Sequence, residues 1–295
     1  MSASPFDGVG TALVTPFRTD GSVDHAKLAD FIEFQIGGGV QFLVPCGTTG
    51  ESATMSVEEQ AQVIKTTLSV SNGRLPVLAG CGGNDTAELI ERGKLFREIG
   101  ATHVLSVSPY YNKPSQEGIY RHFKAFHQET GLEVMLYNIQ GRTGSNVLPE
   151  TMARMAEEGI IFAVKEASGS LVQIQKVCQL TGDKLQVFSG DDAMTLALIA
   201  AGGVGVVCTC SNVLPRPISQ WVETIKAGDF STARDQLKPL LPVFETMFIE
   251  PNPGPIKAGA ALLGLMEPNY RLPMVPPTES TMHKVREVLQ PFGVV

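Results

Sequence analysis

Lys165 stands in the run "IFAVKEASGS" (161–170), directly behind Ile160, Ile161, Phe162, Ala163 and Val164. A lysine in such company has two readings. One is a strand-end residue whose stem packs on apolar neighbours while the ammonium reaches water. The other is an amine kept out of water, where lost hydration favours the neutral, nucleophilic form. Other apolar runs end in residues that suit the second reading. Thr48 and Thr49 follow "FLVPCG", Tyr110 and Tyr111 follow "HVLSVSP", and Tyr137 lies in "EVMLYN" with Arg142 beyond it. Gly190 closes "LQVFSG", ahead of Asp191 and Asp192. An amine that attacks a carbonyl gives a carbinolamine, which needs a proton donor and acceptor to lose water. Tyrosine hydroxyls linked through a threonine hydroxyl can shuttle that proton, and an arginine can clamp a carboxylate with two parallel bonds. Singly, Tyr137 also reads as an amphipathic strand-end residue, Arg142 as a solvated loop charge and Thr48 as a turn former. Their placement on one rim is what gives the chemical reading weight.

That rim depends on the elements beneath it. Eight short apolar, β-branched runs recur: 8–17, 42–47, 76–82, 103–109, 133–138, 161–167, 185–190 and 203–209. Amphipathic stretches such as 56–70 and 85–99 lie between them, each opening on a Ser or Asp suited to an N-cap. Near-continuous apolar strands alternating with helices predict parallel strands covered on both faces. Eight such units predict an α/β fold, a (β/α)8 TIM barrel, whose chemistry sits where strands run into the following helices. An open doubly wound sheet is the competing fold, but "RTDGSVD" after the first run is no phosphate-binding fingerprint. Beyond residue 215, helix-like stretches near 216–227, 230–248, 255–265 and 279–290 are broken by "EPNPGP" and "RLPMVPP". The expected division is a catalytic barrel over 1–228 and a C-terminal helical appendage over 229–295. On strand six, alternation puts Ala163, Lys165 and Ala167 on one face and Phe162 and Val164 on the other. It sends Glu166 toward the helix layer or the rim, with no assigned role.

The 295 residues are 43% hydrophobic and 18% charged, enough for a large buried core. A net charge of −7 without a basic block excludes nucleic acid and anionic membranes as expected partners. No apolar run is long enough to span a bilayer, and "MSASPFDGVG" lacks the basic and apolar regions of a secretory leader. Five scattered cysteines suit reduced thiols and a cytoplasmic setting. Cys208 and Cys210 would share a strand face, but without a nearby His or third Cys they make a poor zinc site. No metal is expected.

Taken together, "GTTGES" (47–52), "SPYYNKPSQEG" (108–118), "YN" with "RTG" after strand five, "KEASG", "SGDD" and "EPNPGPIKAG" (250–259) resemble the dihydrodipicolinate synthase / N-acetylneuraminate lyase family over nearly the whole chain. "YYNKPSQEG", "RTG" and "NPGPIK" are most similar to the synthases of that family. The resemblance implies that Lys165 forms an imine with pyruvate and that Tyr137 is the general acid and base. Thr48 and Tyr111 would complete the proton relay, Tyr111 reaching into a neighbouring subunit. That implies a homodimeric unit and a dimer of dimers, a homotetramer. Thr49 and the backbone near Gly190 and Val207 would hold pyruvate, and Arg142 the carboxylate of aspartate semialdehyde. The implied reaction condenses the two into 4-hydroxy-tetrahydrodipicolinate, in lysine and diaminopimelate biosynthesis. It needs no cofactor, because the protonated imine is the electron sink. Related alternatives are an aldolase for a 2-keto-3-deoxy sugar acid or a 4-hydroxy-2-oxo acid. From another class comes a non-catalytic 2-oxo-acid-binding protein, against which the combination of Lys165, Tyr137, Thr48 and Tyr111 argues.

Two departures from the synthase pattern stand out. Their strand-five loop reads Tyr-Asn-x-Pro-x-Arg-Thr-Gly, whereas Gln140 and Gly141 follow Ile139 here. Loss of the proline and gain of a glycine are expected to loosen the backbone that aims Arg142. Feedback-inhibited synthases also bind lysine partly through histidines on the helix after "GTTGES", where this chain has Val57 and Gln60. Asn84, Glu88 and Tyr110 match the rest of that regulatory site. Lysine is therefore expected to inhibit weakly or not at all; strong inhibition by sub-millimolar lysine in a steady-state assay would contradict this.

Overall fold

The computed structural model describes residues 4–294. Gly8–Val77 contains β1 (Gly8–Ala12), α1 (His25–Gly37), β2 (Phe42–Val44) and α2 (Val57–Ser71). Next come β3 (Leu78–Gly80), α3 (Thr86–Glu98), β4 (His103–Val107), α4 (Gln116–Thr130) and β5 (Glu133–Asn138). They are followed by α5 (Gln140–Thr143), α6 (Pro149–Glu157), β6 (Ala163–Glu166) and α7 (Leu171–Thr181). After β7 (Gln186–Ser189), α8 (Thr195–Ala200) and β8 (Gly205–Cys208), the chain ends in α9 (Pro215–Lys226), α10 (Phe230–Thr246), α11 (Gly254–Leu262) and α12 (Glu279–Leu289).

The strands join in one sheet in the order β2-β1-β8-β7-β6-β5-β4-β3. A parallel bridge between Leu43 of β2 and Val77, directly before β3, closes the series. This is the (β/α)8 TIM barrel expected from the eight apolar runs, with the further C-terminal helices. The strands are short and almost wholly buried, which is why their sequences read as continuous apolar runs rather than alternating ones. The run at 8–17 gives a strand only to Ala12. Beyond it the Val14 N–H turns to a side chain, donating to Asn212 Oδ1 at 3.0 Å.

Helix starts follow local chemistry. Ser56 and Glu59 form a reciprocal capping box at α2, and Asp85 accepts from two backbone N–H groups at α3. Ser115 and Thr278 cap α4 and α12 in the same way.

The chain divides into two compact units. One is Leu78–Val207 with the N-terminal segment up to Asp7; the other is Gly8–Val77 with the chain from Cys208 onward. In the first, Phe6 packs edge-on to His103 and against Phe162, with ring centroids 4.9 and 5.5 Å away. In the second, the C-terminal helices belong with β1 and β2. Trp221 of α9 lies 5.5 Å from Phe244 of α10 and donates to the Ala233 carbonyl.

A buried ion pair ties the second unit together. Lys257 of α11 is wholly buried, with its Nζ 2.6 Å from Glu51 Oε1 and 4.1 Å over the Phe17 ring. Burial pulls the ammonium down to about 8, against the upward pull of the Glu51 carboxylate. Glu51 itself holds a left-handed backbone, φ 55°, at the end of the loop that follows β2. Arg271 adds a two-point bond to Glu59 and a third to the Thr54 carbonyl. Residues 257–271 thus grip both ends of the segment from Glu51 to Glu59. Lys257→Met strands a buried carboxylate and is expected to cost about 3–5 kcal/mol in denaturant unfolding. The double variant with Glu51→Gln should regain most of it. A single-variant loss under about 1 kcal/mol would contradict this role for the pair.

Candidate active site

In the parallel ladder of β5 and β6, Tyr137 stands opposite Lys165. Paired residues of a parallel ladder project to the same face, so alternation along β6 and pairing across to β5 bring the two side chains together. The Lys165 amine lies 4.3 Å from the centre of the Tyr137 ring. Both are buried, at 6% and 7% exposure. On the other side of the lysine, a Cβ placed on Gly190 would lie 3.1 Å from Lys165 Cε and Cγ and 2.7 Å from Ala167 Cβ. Any side chain there would have to displace the lysine, which is the physical reason for a glycine after β7. Ala167 and Lys165 thus meet the same neighbour, in keeping with their shared face.

Burial pushes the Tyr137 phenol up to about 12; Asp192 adds to the rise and Arg142 opposes it. The phenol therefore keeps its proton at neutral pH. Arg142 itself is exposed, on the single helical turn α5 that starts two residues after β5. Val207 is wholly buried within β8.

The face of Glu166, open in the sequence, is settled by its partners. Its carboxylate accepts from Asn138 Nδ2 at 3.0 and 3.3 Å, the Ser168 N–H at 2.7 Å and Gln173 Nε2 at 3.2 Å. It faces away from Lys165, into the bases of the loops after β5 and β6. The sequence signal was a glutamate inside an apolar run, but its partners lie 28 residues upstream as well as nearby.

Tyr111 stands apart from this cluster. It is 89% exposed, at φ 71°, in a turn where Asn84 Nδ2 donates to the Tyr110 carbonyl and Asn112 Nδ2 to the Asn84 carbonyl. Of the three candidate regulatory residues, Asn84 and Tyr110 are thereby joined, while Glu88 is exposed in the first turn of α3. Thr48 and Thr49 belong to the other compact unit. Thr48 is exposed, and its carbonyl accepts from the Glu51 N–H. Thr49 is buried, and its hydroxyl accepts from Asn252 Nδ2 at 3.0 Å, which leaves the hydroxyl proton free to point elsewhere. Asn252 and Lys257 both lie in the stretch "EPNPGPIKAG", whose side chains thus serve the loop after β2.

The expectation that Cys208 and Cys210 share a strand face is corrected. β8 ends at Cys208, and Cys210 opens a 3-10 turn, with Cys208 Sγ accepting from the Ser211 N–H. Among the described residues no three His, Cys, Asp or Glu side chains gather as metal ligands do. Nor, among them, is any helix long and apolar enough to cross a membrane.

Comparison with known proteins bears on the whole chain. The profile of the Dihydrodipicolinate synthetase family matches residues 5–291. A 4-hydroxy-tetrahydrodipicolinate synthase of Koribacter versatilis (strain Ellin345) is 47% identical over 289 residues, 98% of this chain and 96% of its own. One of Pelobacter propionicus is 44% identical over 98% of this chain and all of its own. Among solved structures, dihydrodipicolinate synthase of Aquifex aeolicus superposes with a TM-score of 0.95 at 38% identity, covering 98% of this chain and 99% of that one. The Thermotoga maritima enzyme gives 0.96 at 39%, covering 99% and 100%. With a buried lysine paired to a buried tyrosine on a (β/α)8 barrel, and similarity along its full length, this chain belongs to the dihydrodipicolinate synthetase family.

Proposed function

We propose that the chain is a Schiff-base lyase, a 4-hydroxy-tetrahydrodipicolinate synthase that condenses pyruvate with L-aspartate 4-semialdehyde. The observation that carries the chemistry is the buried Lys165 amine 4.3 Å from the centre of the Tyr137 ring. The relatives named for this synthase, 44–47% identical over nearly their full length, support the choice of substrates. Neutral Lys165 attacks the pyruvate C2 carbonyl, and Tyr137 donates the proton with which the carbinolamine hydroxyl leaves as water. Loss of a C3 proton from the protonated imine gives the enamine, with the nitrogen taking the electron pair. The enamine C3 then bonds to the aldehyde carbon of the second substrate. Its amine adds to C2 and expels Lys165, so the ring closes and the free amine is regenerated.

Thr48 and Tyr111 extend the proton relay, and Thr49, Gly190 and Val207 hold the pyruvate end. Arg142 takes the aspartate semialdehyde carboxylate. The imine supplies the electron sink, so no cofactor enters. An 89% exposed tyrosine held at a left-handed backbone is a feature that a second copy of the chain would cover. We therefore place Tyr111 at a subunit contact, in a homodimer that pairs into a homotetramer. Asn84, Glu88 and Tyr110 form a reduced lysine site. Five free cysteines suit a cytoplasmic setting.

The test is turnover of pyruvate with aspartate semialdehyde, compared with cleavage of 2-keto-3-deoxy sugar acids and 4-hydroxy-2-oxo acids. The semialdehyde reaction should dominate, and Tyr137→Phe should lower its kcat by about 10²–10⁴-fold. Preference for a sugar acid would replace the second substrate, and full activity in Tyr137→Phe would remove the assigned acid.

A further inference from the structure

A single helical turn carries Arg142. Four residues of helix have no stability of their own, so the direction of Arg142 depends on what pins the loop from Asn138 to Val147. Both ends of that loop converge on the residue after the nucleophile. At the near end, Asn138 Nδ2 donates to both oxygens of Glu166. At the far end, Asn138 Oδ1 accepts from the Val147 N–H at 3.0 Å, and Asn146 Oδ1 accepts from Asn138 Nδ2 at 2.9 Å. Gln173 of α7 bonds to both the amide oxygen and amide nitrogen of Asn146, and to Glu166. The turn itself has one further anchor: Gln140 Nε2 donates to the Ser168 carbonyl at 3.2 Å, while the Ser168 N–H donates to Glu166.

We infer that Glu166 and Gln140 are positioning residues for the second substrate: together they lock the Arg142 turn to β6 and so set its place relative to the Lys165 imine. Glu166 is joined to Lys165 by one peptide bond and is 2% exposed. A buried carboxylate is costly to hold among neutral donors, and its value here is geometric. A carboxylate only accepts, so the Ser168, Asn138 and Gln173 N–H groups can all close on it. An amide in its place would aim an N–H at one of them. Gln140 supplies what a proline at that position could not, a side-chain donor across to the next loop. The looser backbone expected from Gln140 and Gly141 is thus met by a direct tie to the loop after β6.

The inference rests on Arg142 as the carboxylate clamp, and its test separates the two half-reactions. Glu166→Gln and Gln140→Ala are expected to raise KM for aspartate semialdehyde about tenfold or more, since a small misplacement of a clamp costs up to about 10²-fold. The pyruvate KM should hold, as should exchange of the pyruvate C3 protons with solvent deuterium, followed by NMR without the second substrate. Gln140 is the first residue of its turn, where proline is accommodated. Gln140→Pro, which presets the turn without the side-chain bond, should therefore recover most of what Gln140→Ala loses. Unchanged KM for the semialdehyde in both variants would overturn the inference. So would a fall in deuterium exchange parallel to the rise in KM, which would place the network in service of Lys165 or the fold. If Glu166→Gln fails to fold, Gln140→Ala, altered at an exposed side chain, decides alone. Absence of deuterium exchange in the parent protein would instead refute the Schiff-base reading itself.

Discussion

An amine held out of water against a phenol is the interaction on which the rest of this structure turns. In water a lysine is protonated and cannot attack a carbonyl; removed from water it gives up part of the solvation that keeps the charge. Lys165 is removed by strand geometry. The β5–β6 register sets Tyr137 beside it, and the bare backbone at Gly190 makes room for its stem. The same burial that encloses Lys165 pushes the Tyr137 phenol up and keeps it protonated.

Two loops are each held by a buried carboxylate, in contrasting ways. Glu51 is matched by a cation, Lys257, from a helix more than 200 residues away in sequence. Glu166 is met by neutral amides and a backbone N–H from its own neighbourhood. The first fastens the loop bearing Thr48 and Thr49 to the C-terminal helices. The second fastens the loop bearing Arg142 to the strand that carries Lys165. The C-terminal helices are thus tied into the rim loop of their own compact unit, in line with their grouping with β1 and β2.

What the sequence disclosed, and what it hid, follows the range of the interactions. The eight strands and the last four helices were legible because parallel strands in a covered sheet make continuous apolar runs, and caps such as Ser56 and Asp85 are local. That Lys165 shares a face with Ala167 followed from alternation alone. Strand ends were not legible. β1 stops at Ala12, and two residues further on the Val14 N–H donates to Asn212, remote in sequence. Glu166, Asn138 and Asn146 were hidden for the same reason, since polar residues in an apolar run declare burial but not their partners. Lys257 and Asn252 read only as part of a proline-rich stretch, and their bonds to Glu51 and Thr49 exist only in three dimensions.

If Lys165 is the residue that bonds to pyruvate, borohydride reduction of the protein with pyruvate traps the bond, and peptide mass analysis locates it. One reduced pyruvate adduct per chain is expected, on the peptide containing Lys165, with none in Lys165→Ala. No adduct in the parent, or an adduct on the buried Lys257 instead, would contradict it.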